Sequence, residues 1–461
     1  MANERVDVVI IGGGPGGYVA AIRASQLNAN VVLVERDVIG GTCLNRGCIP
    51  TKALFTSTEV LLSARDAARY GVEVGGVKAD LAKMVARKDQ VVNQLVKGVE
   101  FLLKRGKVRT IKGTATIVGP NSVEVISDDG TKETIDTRTI MVATGSESAQ
   151  LPFLPFDGQH VINSTDILNL TEAPTSLAII GAGAIGMEFA GIFNALGTQV
   201  TVIEMLPQVL PTEDKEIADI LSRELMKKKI KTYVNTKVDK AEKQNGQVVL
   251  TLSNGETVRA DKVLVAAGRK LNVDGIGLEK VGVNFDKKGI KVNQYMQTNV
   301  PSIYAIGDVA GGMLLAHKAS KEGIVASENI MGHKSKMDYR VIPRTVWTDP
   351  EIGSVGMTEQ QAIEAGYEVK IGKFPFRALG RAVALGKTEG IVKLVADAKT
   401  DELLGAHIIG PEASDLIAEA ATAMALETTV EALAETIHAH PTLAESMMEA
   451  AHVLEGQGIH I

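Results

Sequence analysis

The sequence predicts an α/β fold in which one strand, glycine-turn, helix, strand unit occurs twice, ahead of a C-terminal region of mixed strands and helices. Two observations predict it. Each unit opens on a short continuous apolar run followed directly by a glycine-rich turn. The distance from the first glycine of the turn to the acid ending the second strand is 23 residues in both copies.

The first unit starts with Val6–Ile11, an apolar run of the kind buried on both faces of a parallel sheet. Gly12-Gly13-Gly14-Pro15-Gly16-Gly17 follows, then a helical stretch Tyr18–Leu27, then Val31–Val34 ending in Glu35. The second unit repeats this with the strand Ser176–Ile180 and the turn Gly181-Ala182-Gly183-Ala184-Ile185-Gly186. A helix then runs to about Leu196, and Val200–Ile203 ends in Glu204. In such a Rossmann-like unit, Gly12 or Gly181 makes the tight turn and Gly14 or Gly183 lets backbone approach a pyrophosphate. Gly17 or Gly186 allows close helix–strand packing. The diphosphate lies at the positive end of the helix, and Glu35 or Glu204 accepts hydrogen bonds from ribose hydroxyls. A lone glycine motif is weak, but two complete units with matching spacing are a strong signal. Glu204 is followed by Met205, Leu206 and Pro207, with no arginine to receive a 2′-phosphate, so the second site favours NAD over NADP. Arg36, after Glu35, reads as a surface arginine.

Composition bounds the rest. The chain has 461 residues, 45% hydrophobic and 23% charged, an ordinary globular mix long enough for about three domains. Its net charge of −6 leaves no basic footprint for nucleic acid or an anionic membrane, and aromatics at 4% make base-stacking platforms improbable on composition. The apolar stretch Val6–Ile22 lacks the basic start of a secretory signal, and Leu177–Leu196 carries several glycines and Glu188. The last residues hold no lipidation motif. These features predict a soluble, cytoplasmic protein.

Only two cysteines are present, Cys43 and Cys48. Proline is favoured in a helix's first turn, so a helix beginning near Cys48–Pro50 would carry Lys52, and both the helix N-terminus and the lysine lower a thiol's pKa. Inert buried cysteines, a structural disulfide and a metal pair are the competing readings. A metal would need two more ligands, and no histidine lies near in sequence. Beside a dinucleotide fold, a redox-active pair leads.

Gly40-Gly41-Thr42-Cys43-Leu44-Asn45-Arg46-Gly47-Cys48-Ile49-Pro50-Thr51-Lys52 closely resembles the redox motif of the flavoprotein disulfide reductases, and the resemblance covers essentially the whole chain. Ala143-Thr144-Gly145-Ser146 is similar to the segment closing that family's first FAD part. The stretch Val300–Asp308 resembles its second FAD motif, whose aspartate binds the flavin's ribityl chain. Leu315-Ala316-His317-Lys318-Ala319 resembles the stretch beside the flavin ring, and the segment from His438 to Glu445 resembles the C-terminal base motif. Arg46 and Thr51 depart from the residues many members carry there. On sequence alone Asp308 is equally a turn aspartate, and His317 a helix N-terminal residue.

The resemblance implies bound FAD and NAD and the branch of the family that oxidises protein-bound dihydrolipoyl groups. Two electrons would pass through a Cys43–Cys48 disulfide and FAD to NAD⁺. It implies residues 1–148 as the first part of an FAD domain, 149–270 as an NAD domain, 271–340 as the second FAD part, and 341–461 as an interface domain of a homodimer. The chain would return from the NAD domain through Gly268-Arg269. His440 would be the base, oriented by Glu445 and serving the partner subunit's disulfide. Pro441 holds His440 out of a helix, but sequence alone favours Thr442-x-x-Glu445 as a capping box for a helix Leu443–Leu454. His438 is secondary and would share a face with His440 in an extended segment. The family also implies a Lys52–Glu188 pair at the flavin. Taken alone, Lys52 is equally a solvated helix lysine and Glu188 an acid near a helix N-terminus. The implied partner is a lipoyl-bearing carrier, either the E2 component of a 2-oxo acid dehydrogenase or the glycine-cleavage H protein. The alternatives are another disulfide reductase of the family and a non-catalytic FAD- and NAD-binding redox sensor.

Overall fold

In the computed structural model, which describes residues 6–461, both glycine units fold as parallel α/β layers. Val6–Ile11 lies at the centre of the first sheet, between Val31–Glu35 and the end of Lys132–Val142, all parallel. Arg109–Lys112 extends the sheet beyond the first neighbour and Ile303–Ala305 beyond the second. Val8, Val9 and Ile10 are fully buried, as expected of a strand covered on both faces. Helix α1 (Pro15–Gln26) starts three residues earlier than the apolar periodicity suggested, because Pro15 fits the first helical position and lacks the N–H that would go unpaired there.

The stretch after residue 108 alternates apolar and polar residues and forms three antiparallel strands, Arg109–Gly119, Ser122–Ser127 and Lys132–Val142. The segment before it is helical: α2 (Gly41–Arg46) and α3 (Cys48–Asp66) are followed by a short 3₁₀ turn, and α4 (Leu81–Arg105) begins after the linker 71–80. Gly71, at φ +75°, ends the first run, and the Asp80 carboxylate caps the next by accepting from Lys83 N.

The second sheet is also parallel, with Ser176–Ile180 between Gln199–Ile203 and Lys262–Val265. Its turn leads into α5 (Ala184–Ala195), and α6 (Lys215–Lys227) follows the second strand. The chain crosses between the two sheets twice, and the crossings pair: Ser146–Ser148 runs antiparallel to Arg269–Leu271. After the second crossing Ile303–Ala305 joins the first sheet, and α7 (Ala316–Ile330) packs along α1. The close approach needs glycine, since a Cβ on Gly323 would sit 2.6 Å from the Gly16 carbonyl. The C-terminal region is a five-stranded antiparallel sheet containing Ile391–Asp397 and Leu403–Gly410, covered by helices Ala413–Ala425 and Glu445–Leu454. Among the described residues no helix is long and apolar enough to cross a membrane, and no cluster of three or more His, Cys, Asp or Glu is placed to hold a metal ion.

Candidate functional site

The two glycine turns have matching geometry. Gly12 and Gly181 have φ of +109° and +104°, and a Cβ on either would strike the carbonyl of Ala143 or Ala266 at 2.3 or 2.5 Å. A Cβ on Gly17 or Gly186 would lie 1.8 or 2.0 Å from the carbonyl of Gly12 or Gly181. The middle glycines differ in kind: Gly14 has nothing nearer than 4.0 Å, and Gly183 nothing within 4 Å. The outer glycines are therefore demanded by packing, whereas the middle ones leave open backbone at a helix N-terminus. That cradle fits a diphosphate.

Each acid also braces its turn, a role spacing did not reveal. Glu35 accepts from Gly13 N at 2.6 Å and Asp37 N at 2.8 Å. Glu204 accepts from Ala182 N at 2.8 Å and Leu206 N at 2.9 Å. Burial pushes the Glu35 carboxyl above its ordinary range, against the pull of Gly13 N–H and nearby arginines. Arg46 forms an ion pair with Asp37, so this residue ties the redox segment to the loop after Glu35.

The dithiol lies where two helices meet. Cys43 is on α2 and Cys48 is the first residue of α3. The start of α2 packs on the first turn, as an ideal Cβ on Gly41 would lie 2.6 Å from Gly14 Cα. The two thiols are free and each shifts the other's titration. The Cys43 thiol, with help from Lys52, brings the Cys48 thiol down to about 7, against burial and Glu188. Cys48 and burial push the Cys43 thiol up. The reduced pair therefore carries its thiolate on Cys48 and its proton on Cys43. The folded value for Cys48 lies below its ordinary 9.0. Its thiolate is therefore lost as pH falls through about 7. The thiolate ultraviolet absorbance of the reduced protein should titrate near that point. Lys52→Met should move the midpoint upward, because Glu188 then acts unopposed; an unmoved midpoint would contradict this electrostatic picture.

Lys52 and Glu188 meet as the resemblance implied. Lys52 Nζ lies 2.7 Å from Glu188 Oε1, with the glutamate side chain only 7% exposed. Sequence reasoning missed the third member. Trp347, the only tryptophan, donates its backbone N–H to Glu188 at 3.2 Å, and its ring lies 5.8 Å from Lys52 Nζ. Phe55 packs edge-on against the same ring at 5.7 Å. Residues from α3, from α5 and from the end of the strand Arg344–Val346, where Trp347 follows, thus converge on one ion pair.

Asp308 comes to the first sheet through the pairing of Ile303–Ala305 with Ile140–Val142. Its carboxylate accepts from Ser146 Oγ, and Arg269 donates to Ser146 Oγ at 2.6 Å and to the Ser146 carbonyl at 2.7 Å. In the sequence Arg269 marks only the return crossing. Thr144 and Gly145 are held by Asn272: Thr144 Oγ1 donates to its carbonyl at 2.8 Å, and Asn272 N donates to the Gly145 carbonyl at 3.0 Å. Gly268, at φ +116°, and Gly145, at φ +68°, have open space where a Cβ would stand. Ala316 is the first residue of α7, and His317 hydrogen-bonds the Pro343 carbonyl at 2.8 Å.

His440 stands apart from the dithiol's hydrogen-bond network. Its Nδ1 lies 2.8 Å from Glu445 Oε1, and its side chain is 78% exposed. The other Glu445 oxygen accepts from Thr442 N at 2.7 Å. The anticipated capping box forms only in half, through Thr442 N and Glu445. The helix starts at Glu445 rather than Leu443, and the Thr442 hydroxyl donates to the Ala439 carbonyl instead. Although burial acts upward, Thr442 N–H and His440 hold the Glu445 carboxyl below its ordinary range. His438 does not share a face with His440; its Nε2 is 2.7 Å from Glu419 and its side chain is 7% exposed.

Two glycine turns open to a diphosphate, with a dithiol packed on the first, are the arrangement of a pyridine nucleotide-disulphide oxidoreductase. The model of that family matches residues 6–323 and the model of its dimerisation domain residues 342–451, so the chain belongs to this family. Among curated relatives, it is 47% identical to a dihydrolipoyl dehydrogenase of Thermus scotoductus over 99% of both chains. It is 44% identical to mitochondrial dihydrolipoyl dehydrogenase 1 of Arabidopsis thaliana over 100% of this chain and 92% of the relative. Among solved structures, LpdA from Mycobacterium tuberculosis superposes with a TM-score of 0.92 at 28% identity, covering 97% of this chain and 100% of that one.

Proposed function

We infer that this protein is a dihydrolipoyl dehydrogenase: it oxidises dihydrolipoyl groups to lipoyl, with FAD as bound cofactor and NAD⁺ as acceptor. The observation that carries the reading is the paired Cys43 and Cys48 beside the first glycine turn. Overall, a dithiol and NAD⁺ become a disulfide, NADH and a proton. Bound FAD supplies the two-electron relay between the cysteine pair and the nicotinamide.

The chain's own residues divide the remaining work. His440, held by Glu445, takes a proton from the substrate dithiol. The substrate thiolate attacks the Cys43 sulfur of the oxidised pair, forming a mixed disulfide and expelling Cys48 as thiolate. Attack in this direction expels the sulfur that lies nearer the charge of Lys52, which lowers the pKa of the leaving thiol. The second substrate sulfur then displaces Cys43, closing the lipoyl disulfide and leaving the proton on Cys43. Lys52, paired with Glu188, offsets the thiolate charge on Cys48. Gly12, Gly14, Gly17, Glu35, Thr144, Gly145, Asp308 and Ala316 would hold FAD, and Gly181, Gly183, Gly186, Glu204 and Gly268 would hold NAD.

The protein works as a homodimer, in line with its dimerisation domain. The high exposure of His440 supports its service to the partner's disulfide. The proposed division at 148, 270 and 340 is supported by the paired crossing strands and by the return of Ile303–Ala305 to the first sheet. A lipoyl-bearing carrier protein is the proposed substrate donor and the cytoplasm the proposed location.

Steady-state oxidation of dihydrolipoamide tests the reading: NAD⁺ should support turnover and NADP⁺ should not. Glu204→Ala should raise the KM for NAD⁺ by roughly 10- to 100-fold, the worth of charged hydrogen bonds to a ribose, with a smaller change in kcat. Turnover with glutathione disulfide and NADPH in place of this pair would assign the protein to another branch.

A further inference from the structure

Helix α7 carries a buried ion pair that the mechanism above does not use. Lys318 Nζ lies 3.1 Å from Glu322 Oε1, one turn along the helix, and each side chain is 1% exposed. Both reach the same short turn. Glu322 Oε2 accepts from Gly307 N at 2.7 Å, while Lys318 donates to the Gly311 carbonyl at 2.7 Å. Tyr339 completes the group, its hydroxyl donating to Glu322 Oε1 at 2.7 Å.

The turn so clamped is Gly307–Ala310, which contains Asp308. Gly307 and Gly311 bracket it in the left-handed region, at φ +74° and +79°. The hairpin Phe285–Ile290 also presses against it; an ideal Cβ on Gly289 would lie 2.7 Å from the Val309 carbonyl. The turn therefore has little freedom, and the ion pair holds it at both ends. Stability alone does not account for such an arrangement, since apolar residues of similar volume usually hold a helix to a turn equally well. The pair does something an apolar contact does not: it fixes backbone groups on both sides of Asp308 at set distances from the helix that starts at Ala316.

We propose that Lys318 and Glu322 are positioning residues for the flavin, locking Asp308 at a fixed spacing from the N-terminal end of α7. This rests on the reading that FAD lies against Asp308 and Ala316. Glu322→Gln keeps the shape and removes the charge, and Lys318→Met/Glu322→Leu removes both charges together. Either variant is expected to bind FAD roughly tenfold or more weakly, with a shifted flavin midpoint potential and an altered visible spectrum. Tyr339→Phe, at a position 44% exposed, should fold readily and shift both quantities in the same direction by less. A merely structural pair would lower the unfolding temperature of the apoprotein while leaving affinity and potential at parent values. That outcome in Glu322→Gln, in the double variant, or in Tyr339→Phe if neither of the others folds, overturns the proposal. Failure of the parent protein to bind FAD at one per chain would instead overturn the functional reading beneath it.

Discussion

Cys43→Ser abolishes dihydrolipoamide-dependent reduction of NAD⁺ while the protein still binds FAD and still passes electrons from NADH to a small artificial acceptor. The expectation follows from the division of labour in the dithiol. Cys43 is the sulfur that exchanges with substrate, and no third cysteine exists in the chain to replace it. Serine cannot form the mixed disulfide, so the lost activity has no slower route. The segment's fold does not depend on the sulfur: α2 buries Leu44 and not Cys43, and Gly41 seats the helix on the first turn. Measuring both activities on one preparation separates the two cases. Loss of both points to a damaged cofactor site, and retention of lipoamide turnover contradicts the exchange role.

His440→Gln is the second large effect, a fall of about 10²- to 10⁴-fold in kcat, the usual worth of a positioned general base. The loss should be greatest where the substrate dithiol is fully protonated and should ease at alkaline pH, where substrate thiolate forms unaided. Glu445→Gln should cost less, since it removes the orienting charge but keeps an acceptor for the imidazole and for Thr442 N. The exposure of His440 gives the experiment a second readout. Mixed dimers of Cys43→Ser and His440→Gln chains should regain activity that neither parent dimer has, because one of their two sites combines an intact Cys43 with an intact His440 across the interface. Absence of complementation would place the base within its own subunit.

Much of this site was legible because its signals are local. The glycine turns, the acids 23 residues on, and a lysine one helical turn after Cys48 all sit within single supersecondary units. Pro15 and Pro50 mark helix starts within a few residues. The remainder depends on contacts across the chain. Asp308 lies 162 residues after Ser146 and reaches it only because the three-residue strand Ile303–Ala305 joins the sheet. Trp347 and Arg269 carry no pattern of their own; each acquires meaning from a partner on another element. Lys318 and Glu322 look like an ordinary surface pair at helical spacing, yet α7 is packed on both sides and buries them. The capping-box expectation failed in part for a similar reason. Thr442 and Glu445 have the right spacing and Glu445 still accepts from Thr442 N, but the Thr442 hydroxyl turns to Ala439 and leaves the box half made.

The central claim, that the cysteine pair and flavin form one two-electron path from dithiol to NAD⁺, is tested most directly by anaerobic titration of the purified holoenzyme with dihydrolipoamide. The account predicts that one equivalent per chain produces a new long-wavelength absorption band, the signature of a Cys48 thiolate against the flavin, and that NAD⁺ but not NADP⁺ restores the starting spectrum. A flavin spectrum unchanged by dihydrolipoamide, or one restored equally well by NADP⁺, would contradict it.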